Sequence, residues 1–127
     1  MVAISRAPYA RIEPFQRRMG WRFKWLSSFE NDFNFDFHAS FKPEEITRGN
    51  AFFNYSWTNP GPPEREGLSV FRKDEGGALF HTYSTYARGI DLLNGTYNLL
   101  DLVPRGRDED GLKSPQAWVQ YHDRYEG

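Results

Sequence analysis

The sequence contains no cysteine. Without a thiol, this chain of 127 residues forms no disulfide and no thiolate metal site, and it has no sulfur nucleophile. Its formal net charge is only −1, so overall charge gives no reason to expect nucleic acid or an anionic membrane as a partner. No apolar run approaches the length of a membrane span or of a signal-peptide core. We therefore expect a cytoplasmic protein with no nucleic-acid partner, no membrane partner and no cofactor.

Aromatic residues are abundant instead, with 11 Phe, 7 Tyr and 4 Trp making up 17% of the chain. Each of these side chains buries a large apolar area, so their default place is a hydrophobic core. The chain length fits one small domain and is too short for two independent cores. We predict a single domain over residues 1–127.

The amino-terminal part predicts a strand, a helix and a second strand. Val2–Ile4 is a short apolar run typical of a buried strand. Four apolar residues on one helical face predict a helix over Tyr9–Met19, closed by a glycine. Because Pro14 interrupts this pattern, we expect a kink or a helix that begins near Ile12. Phe23–Ser27 predicts the second strand.

The middle of the chain predicts a short helix and a hairpin. Residues 31–41 are ambiguous, because their phenylalanines recur with both strand and helix spacing. A proline and two acidic residues predict a short helix over residues 42–49. Residues 54–67 hold most of the turn-forming residues and predict an exposed loop. Two strand-forming segments flank Asp74–Gly77 and predict a β-hairpin.

Two more helices are predicted near the carboxy terminus. Apolar residues three or four apart predict a helix over residues 90–103, which ends before Pro104 and is weakened by Asn94 and Gly95. Ser114 and Pro115 suit the cap and first position of a last helix. The complete order indicates an α/β fold, an incomplete thioredoxin-like sandwich with strand-helix-strand, then a hairpin and carboxy-terminal helices.

Three segments carry a family resemblance: VAISRAP, MGWRFKWLSSFENDFNFDF and LSVFRKDEGGALFHTYSTYARGIDLLNGTYNLLDLVPRGRDED. They resemble a bacterial thioredoxin-like family, known as domain of unknown function eight-nine-nine and distantly similar to peroxiredoxins. The resemblance covers nearly the whole chain and implies a thioredoxin-like fold. It implies little about activity, because the family has no settled function.

The resemblance also implies that longer members carry an additional strand and a helix with a cysteine-containing loop upstream of Val2. Nothing in this sequence matches that part. We therefore expect the chain to correspond to the carboxy-terminal part of the fold. A strand at Val2–Ile4 would then have an unpaired edge, and we predict a homodimer that covers it.

The charges are unevenly distributed along the chain. Residues 1–25 carry six basic side chains and one acidic side chain, whereas residues 26–46 carry five acidic side chains and one basic side chain. Such a pattern can guide docking between chains or attract an anion to the first helix. A solvated helix face explains it equally well.

The segment FHTYSTYARG, residues 80–89, concentrates the polar side chains. Strict strand alternation places Ser84 on one face and His81 on the other. One interpretation is a polar or anionic ligand site in which a guanidinium binds a carboxylate or phosphate. The alternative is an ordinary strand, since Tyr and Thr favour strands. The candidate ligand residues are Tyr83, Thr85, Tyr86 and Arg88.

His81 also belongs to two further candidate sites, a metal site and a catalytic triad. Asp36, His38 and His81 could supply two imidazoles and a carboxylate to a metal if the hairpin brings them together. Ser84, His81 and Asp91 could compose a triad, but the glycines of a nucleophile elbow are missing. We predict no catalytic residue in this chain.

The sequence supports three hypotheses about function. The first is a non-catalytic, dimeric binding or structural module with a thioredoxin-like fold. The second is one part of a thioredoxin-like or peroxiredoxin-like oxidoreductase whose cysteines lie outside this chain, because such chemistry needs a thiolate. The third is a binder of small anionic ligands.

Overall fold

A computed structural model describes residues 1–125 of the chain. The fold is mixed α/β, as predicted, and forms two compact units. The first unit combines Met1–Phe29 with the segment from Gly95 onward, and the second comprises Glu30–Asn94. Each unit is described separately below.

The first unit opens with strand β1 (Val2–Ser5), helix α1 (Tyr9–Arg18) and strand β2 (Lys24–Ser27). The two strands pair in parallel, with Val2 opposite Lys24. Parallel strands need a crossover connection, which α1 provides. The predicted strand-helix-strand order is confirmed, but the prediction that Val2–Ile4 is a buried strand is wrong, because Val2 and Ile4 expose 46% and 37% of their surfaces.

Helix α1 begins at Tyr9 and continues through Pro14, so the predicted later start near Ile12 is wrong. Pro14 has no N–H to donate within the helix, but Ile12 is buried with only 1% of its surface exposed. Burial of the apolar face therefore stabilises the helix despite the lost hydrogen bond. The helix ends where Gly20 adopts a left-handed conformation with φ of 63°, as its glycine predicted.

The rest of the first unit is mostly irregular. It contains helix α4 (Gly95–Leu100) and a short 3₁₀ helix over His122–Arg124. The predicted last helix from Ser114 is wrong, because residues 114–118 form bends and turns. Gln116 has a φ of 65°, a left-handed conformation that a right-handed helix does not accept.

The second unit contains two short helices and four strands. They are α2 (Phe33–Asp36), α3 (Pro43–Arg48), β3 (Ala51–Phe53), β4 (Ser56–Thr58), β5 (Gly67–Lys73) and β6 (Leu79–Tyr86). The ambiguous residues 31–41 therefore include a helix. The helix predicted at residues 42–49 is confirmed, and Gly49 caps it with a left-handed φ of 61°. The predicted hairpin around Asp74–Gly77 is also confirmed.

Strand β4 lies inside the segment that was predicted to be an exposed loop. Strands β3 and β4 pair antiparallel, with Phe53 opposite Ser56. The turn between them uses Asn54 and Tyr55, whose φ angles are 49° and 62°. Two left-handed residues in succession are typical of a tight hairpin turn, but a tyrosine is an unusual choice for the second. The loop prediction is wrong at this hairpin.

The helix predicted over residues 90–103 is divided in two. A 3₁₀ helix covers Ala87–Leu93, and α4 begins at Gly95. Asn94 between them has a non-helical conformation, with φ of −114° and ψ of 83°. The Asn–Gly pair therefore breaks the helix instead of only weakening it.

The core of the second unit consists of aromatic residues around one alanine. Its buried members are Phe41, Ala51, Phe53 and Tyr86. The hydroxyl of Tyr86 donates to the backbone oxygen of Phe37 at 2.8 Å.

In the described residues the strands form three two-stranded sheets, β1–β2, β3–β4 and β5–β6. The single thioredoxin-like domain stays a prediction.

Candidate functional site

The β5–β6 hairpin of the second unit carries most of the predicted site residues. Its register shifts between Val70, which pairs with Tyr83, and Phe71, which pairs with His81. Thr82 is therefore an extra residue on β6, which makes a β-bulge. Because a bulge interrupts alternation, it turns His81 toward the face that carries Ser84. The prediction that these two side chains lie on opposite faces is wrong.

A line of hydrogen-bonded side chains results from this bulge. The Nε2 atom of His81 lies 2.7 Å from the Oγ atom of Ser84. The same Oγ atom lies 2.7 Å from the Oγ atom of Ser69 on the opposite strand. Nε2 also lies 3.0 Å from the backbone oxygen of Tyr83. We call His81, Ser84 and Ser69 the hairpin cluster.

The surroundings of the hairpin cluster hold it in place. The imidazole of His81 contacts the rings of Phe37 and Phe71, each at a centroid distance of 5.3 Å. The hydroxyl of Tyr55 donates to the backbone oxygen of Ser84 at 2.7 Å. Ser84 itself is buried. Residue types alone did not reveal the bulge that aligns these side chains.

The third candidate for a triad has an ion-pair partner. Asp91 forms an ion pair with Arg88 at 3.3 Å. A histidine–serine pair requires a third group to orient the imidazole for triad chemistry. The arrangement gives the hairpin cluster a structural role in connecting β5 to β6.

The four candidate ligand residues do not share one exposed surface. Tyr83 is exposed, whereas Thr85 and Tyr86 are buried, with 8% and 6% of their surfaces exposed. The guanidinium of Arg88 is exposed and lies near the carboxylate of Asp91. A ligand on this surface would therefore meet Tyr83 and Arg88 rather than all four side chains.

The glycine at the end of FHTYSTYARG has a packing role. A Cβ atom added to Gly89 would lie 1.8 Å from the Oγ1 atom of Thr85. No side chain fits at this distance, so the backbone of Gly89 packs directly against Thr85. This contact fixes the turn from β6 into the 3₁₀ helix.

The structure places the three candidate metal ligands in different environments. Asp36 ends α2. The ring of His38 contacts the ring of Phe52 at 5.0 Å, while His81 belongs to the hairpin cluster. Among residues 1–125, no three side chains of His, Asp or Glu are grouped so that they could hold a metal ion.

A second polar centre, which the sequence did not reveal, lies in the first unit. The carboxylate oxygen Oε1 of Glu109 accepts three hydrogen bonds. The hydroxyl of Tyr97 donates at 2.5 Å, the indole Nε1 of Trp118 at 2.8 Å and the backbone N–H of Gln116 at 2.9 Å. Tyr97 is buried, with 1% of its surface exposed. We call Tyr97, Glu109 and Trp118 the glutamate hub.

Protonation of the glutamate hub follows from its contacts. Burial, together with the neighbouring Glu109, raises the pKa of Tyr97 above its ordinary value. The hydrogen bond from Tyr97 lowers the pKa of Glu109, and the other two donors lower it further. Glu109 is therefore ionised and Tyr97 protonated at neutral pH, the states in which the hydroxyl donates to the carboxylate.

Arg107 contacts the glutamate hub through the ring of Tyr97. The Nε and Nη2 atoms of Arg107 bind both carboxylate oxygens of Asp101 at 2.7 Å each. The guanidinium lies 4.4 Å from the centre of the Tyr97 ring. Bidentate pairing and the cation–π contact both fix the orientation of this side chain.

A cavity of about 550 Å³ opens beside the glutamate hub, within the segment of residues 105–115. Its walls are charged: they include three basic and three acidic side chains. These are Arg105, Arg107, Lys113, Asp108, Glu109 and Asp110. Leu112 and Pro115 add apolar surface.

In residues 1–125 no helix is long and apolar enough to cross a membrane.

The fold and these polar centres define a small α/β protein with a serine–histidine contact in one unit and a charged cavity in the other. A family model described as bacterial protein of unknown function (DUF899) matches residues 1–125. The chain belongs to this family. No curated protein and no solved structure matches the chain.

Proposed function

We propose that this chain acts as a dimeric binding or structural module that assembles through β1. The observation that carries the proposal is one exposed apolar face of the β1–β2 pair. Val2, Ile4 and Leu26 expose 46%, 37% and 41% of their surfaces. The strand register places Ile4 opposite Leu26, so both side chains are on one face of the sheet. Parallel strands are rarely left uncovered in this way.

The free edge of β1 supplies a second reason. The backbone oxygen of Ser5 accepts from the N–H of Ser28 at 2.9 Å, so the polar groups of Ser5 point toward β2. Backbone polar groups of successive strand residues point to opposite sides. Those of Ile4 therefore point to the edge of β1 that no other strand among residues 1–125 occupies, where a further strand can bind them.

A second copy of this chain is the partner that these features favour. An isologous dimer requires a surface that complements itself. The edge of β1 meets this requirement, since two copies can pair antiparallel across a two-fold axis. The basic segment of residues 1–25 and the acidic segment of residues 26–46 are also complementary in charge.

Sedimentation velocity tests the proposal with two matched variants. Ile4→Lys places a charge on the strand through which the dimer would form, whereas Val70→Lys places the same charge at an exposed strand residue of the β5–β6 hairpin, with 43% of its surface exposed. We expect the wild type and Val70→Lys to sediment as dimers and Ile4→Lys as a monomer. A monomeric wild type, or a dimeric Ile4→Lys protein, would overturn the proposal.

Hydrogen exchange gives a readout that does not depend on a variant. In a dimer joined at β1, the amide of Ile4 donates across the interface and exchanges slowly. We expect its protection to increase with protein concentration. Fast exchange of this amide at every concentration would contradict pairing at this edge.

A second candidate function follows from the parallel β1–α1–β2 unit, which is the arrangement that the thioredoxin-like prediction requires. In this alternative the chain forms part of an oxidoreductase whose cysteines lie outside it. A longer chain with the upstream cysteine should then reduce a disulfide or a peroxide, and a Cys→Ser change should abolish this activity. Equal activity before and after that change would exclude the alternative.

A further inference from the structure

We propose that the cavity within residues 105–115 binds a free α-amino acid with an apolar side chain, recognised through both of its charges. This site is separate from the β1 edge and does not rest on the proposed dimer. The cavity volume of about 550 Å³ falls in the range of small-molecule sites. We call it the loop cavity.

Two side chains in the walls of the loop cavity are held in place before any ligand binds. Glu109 is held by three donors, two of which lie later in the chain at Gln116 and Trp118. Arg107 is held by Asp101 through two hydrogen bonds of 2.7 Å. Side-chain hydrogen bonds therefore hold both the beginning and the end of this segment. A preformed site loses less conformational entropy on binding.

Most of the charged groups in the walls already have ion-pair or hydrogen-bond partners in the protein. Arg105 forms an ion pair with Asp108 at 2.8 Å. Arg107 pairs with Asp101, and Oε1 of Glu109 accepts three hydrogen bonds. These groups shape the cavity but are occupied.

Two opposite charges remain for a ligand. Lys113 and Asp110 both line the cavity, and within residues 1–125 neither has an ion-pair partner. An ammonium and a carboxylate in one cavity match the carboxylate and the ammonium of a zwitterion. A ligand with a single charge would satisfy only one of them, so charge complementarity favours an amino acid.

The apolar part of the ligand follows from the remaining wall. Leu112 and Pro115 line the same cavity and offer apolar contact next to the charged groups. Ligand sites commonly combine apolar surface with a few polar groups that set orientation. The walls thus fit a ligand such as leucine better than a strongly polar amino acid.

Isothermal titration with three related compounds tests this inference. L-Leucine carries both charges, 4-methylpentanoate lacks the ammonium, and 3-methylbutylamine lacks the carboxylate. We expect saturable binding of leucine and at least about tenfold weaker binding of each analogue, which corresponds to about 1.4 kcal/mol. Absence of saturable leucine binding, or equal binding of the three compounds, would overturn the inference.

Charge-neutralising variants identify the residues. Lys113→Met and Asp110→Asn should each weaken leucine binding about tenfold, while Lys24→Met and Glu75→Gln, which lie outside the cavity walls, should leave it unchanged. All four changes affect exposed side chains, so we expect folded proteins. Leucine binding that survives both cavity changes would refute the assignment.

Amide chemical shifts in ¹H–¹⁵N spectra locate the ligand directly. Leucine should shift the signals of residues 105–115 and leave those of β1 unchanged. Shifts confined to other segments would place the ligand elsewhere and overturn the inference. This readout is independent of sedimentation, so failure of the loop cavity and failure of the dimer are distinguishable.

Discussion

The imidazole Nε2 of His81 and the hydroxyl of Ser84 lie 2.7 Å apart because a β-bulge at Thr82 shifts His81 to the face of Ser84. Ser84 also contacts Ser69 across the hairpin. A buried hydroxyl that connects two side chains stabilises the strands it joins.

Replacing Ser84 by alanine should lower the free energy of unfolding by about 1–3 kcal/mol, because the partners lose a shared hydrogen-bonding group. Urea denaturation measures this loss. The matched change Thr47→Ala, at an exposed residue of α3, should shift the stability by less than about 0.5 kcal/mol. Equal effects of the two changes would argue against a structural role for the hairpin cluster.

Gly89→Ala should destabilise the second unit by about 1–3 kcal/mol, since the new methyl group meets Thr85 at an impossible distance. Gly76→Ala is the control, because its nearest neighbour would lie 3.5 Å away. The double variant Gly89→Ala with Thr85→Ala should show coupling in a double-mutant cycle, because it removes the colliding hydroxyl. Strict additivity of the two changes would exclude the clash as the cause.

Tyr55→Phe should lower the free energy of unfolding by about 1 kcal/mol, the usual contribution of one hydrogen bond. The change removes only the hydroxyl that donates to the Ser84 backbone and keeps the ring near Tyr86. Tyr9→Phe, at an exposed residue of α1, should have no measurable effect. If Tyr55→Phe is equally silent, this hydrogen bond does not contribute to stability.

The glutamate hub should make stability depend on pH. The hydrogen bonds to Glu109 lower its pKa, so they stabilise the fold above the ordinary pKa of a glutamate, about 4.3. This contribution is lost as the pH falls through the lowered pKa of the folded protein.

The variant Glu109→Gln tests whether the carboxylate of Glu109 causes this pH dependence of stability. The melting temperature of the wild type should exceed that of the variant at pH 7, and the difference should decrease as the solution is acidified below pH about 4.3. Glu75→Gln, in the exposed hairpin turn, is the control. A difference between wild type and Glu109→Gln that does not change with pH would contradict the role assigned to the carboxylate.

Local patterns in the sequence predicted the regular elements well. The apolar run at Val2, the glycine after α1 and the turn at Asp74–Gly77 each specify structure through neighbouring residues, and all three elements are confirmed. The predicted burial of the strand at Val2 is not confirmed, since Val2 and Ile4 are exposed. The α/β class followed from their order. These features depend on spacing and turn chemistry within a few positions.

The wrong predictions concern segments in which contacts between residues far apart in the sequence outweigh the local sequence pattern. Ser114 and Pro115 suit a helix start, yet the backbone N–H of Gln116 and the indole of Trp118 bind Glu109 instead. Strand β4, which follows Tyr55, was not predicted because neither residue of the turn before it is glycine. The hairpin cluster depends on a register shift, which residue types alone do not specify.

The candidate site was predicted only in part for the same reason. The segment FHTYSTYARG was selected for its polar side chains, but burial divides them between core and surface. The contact between His81 and Ser84 appears only after the bulge is known. The glutamate hub joins Tyr97 to residues 109–118, and no motif marks that connection.

The parallel pairing of β1 and β2 also bears on how the chain acquires its structure. Val2 must find Lys24 on the far side of α1, whereas Lys73 meets Leu79 across a short turn. Closing the longer loop costs more chain entropy, so parallel pairing is the slower event. We expect the hairpin to form early and the β1–β2 pair late. During that interval the apolar side chains of the amino-terminal strands are exposed, which makes this segment the most vulnerable to aggregation during synthesis.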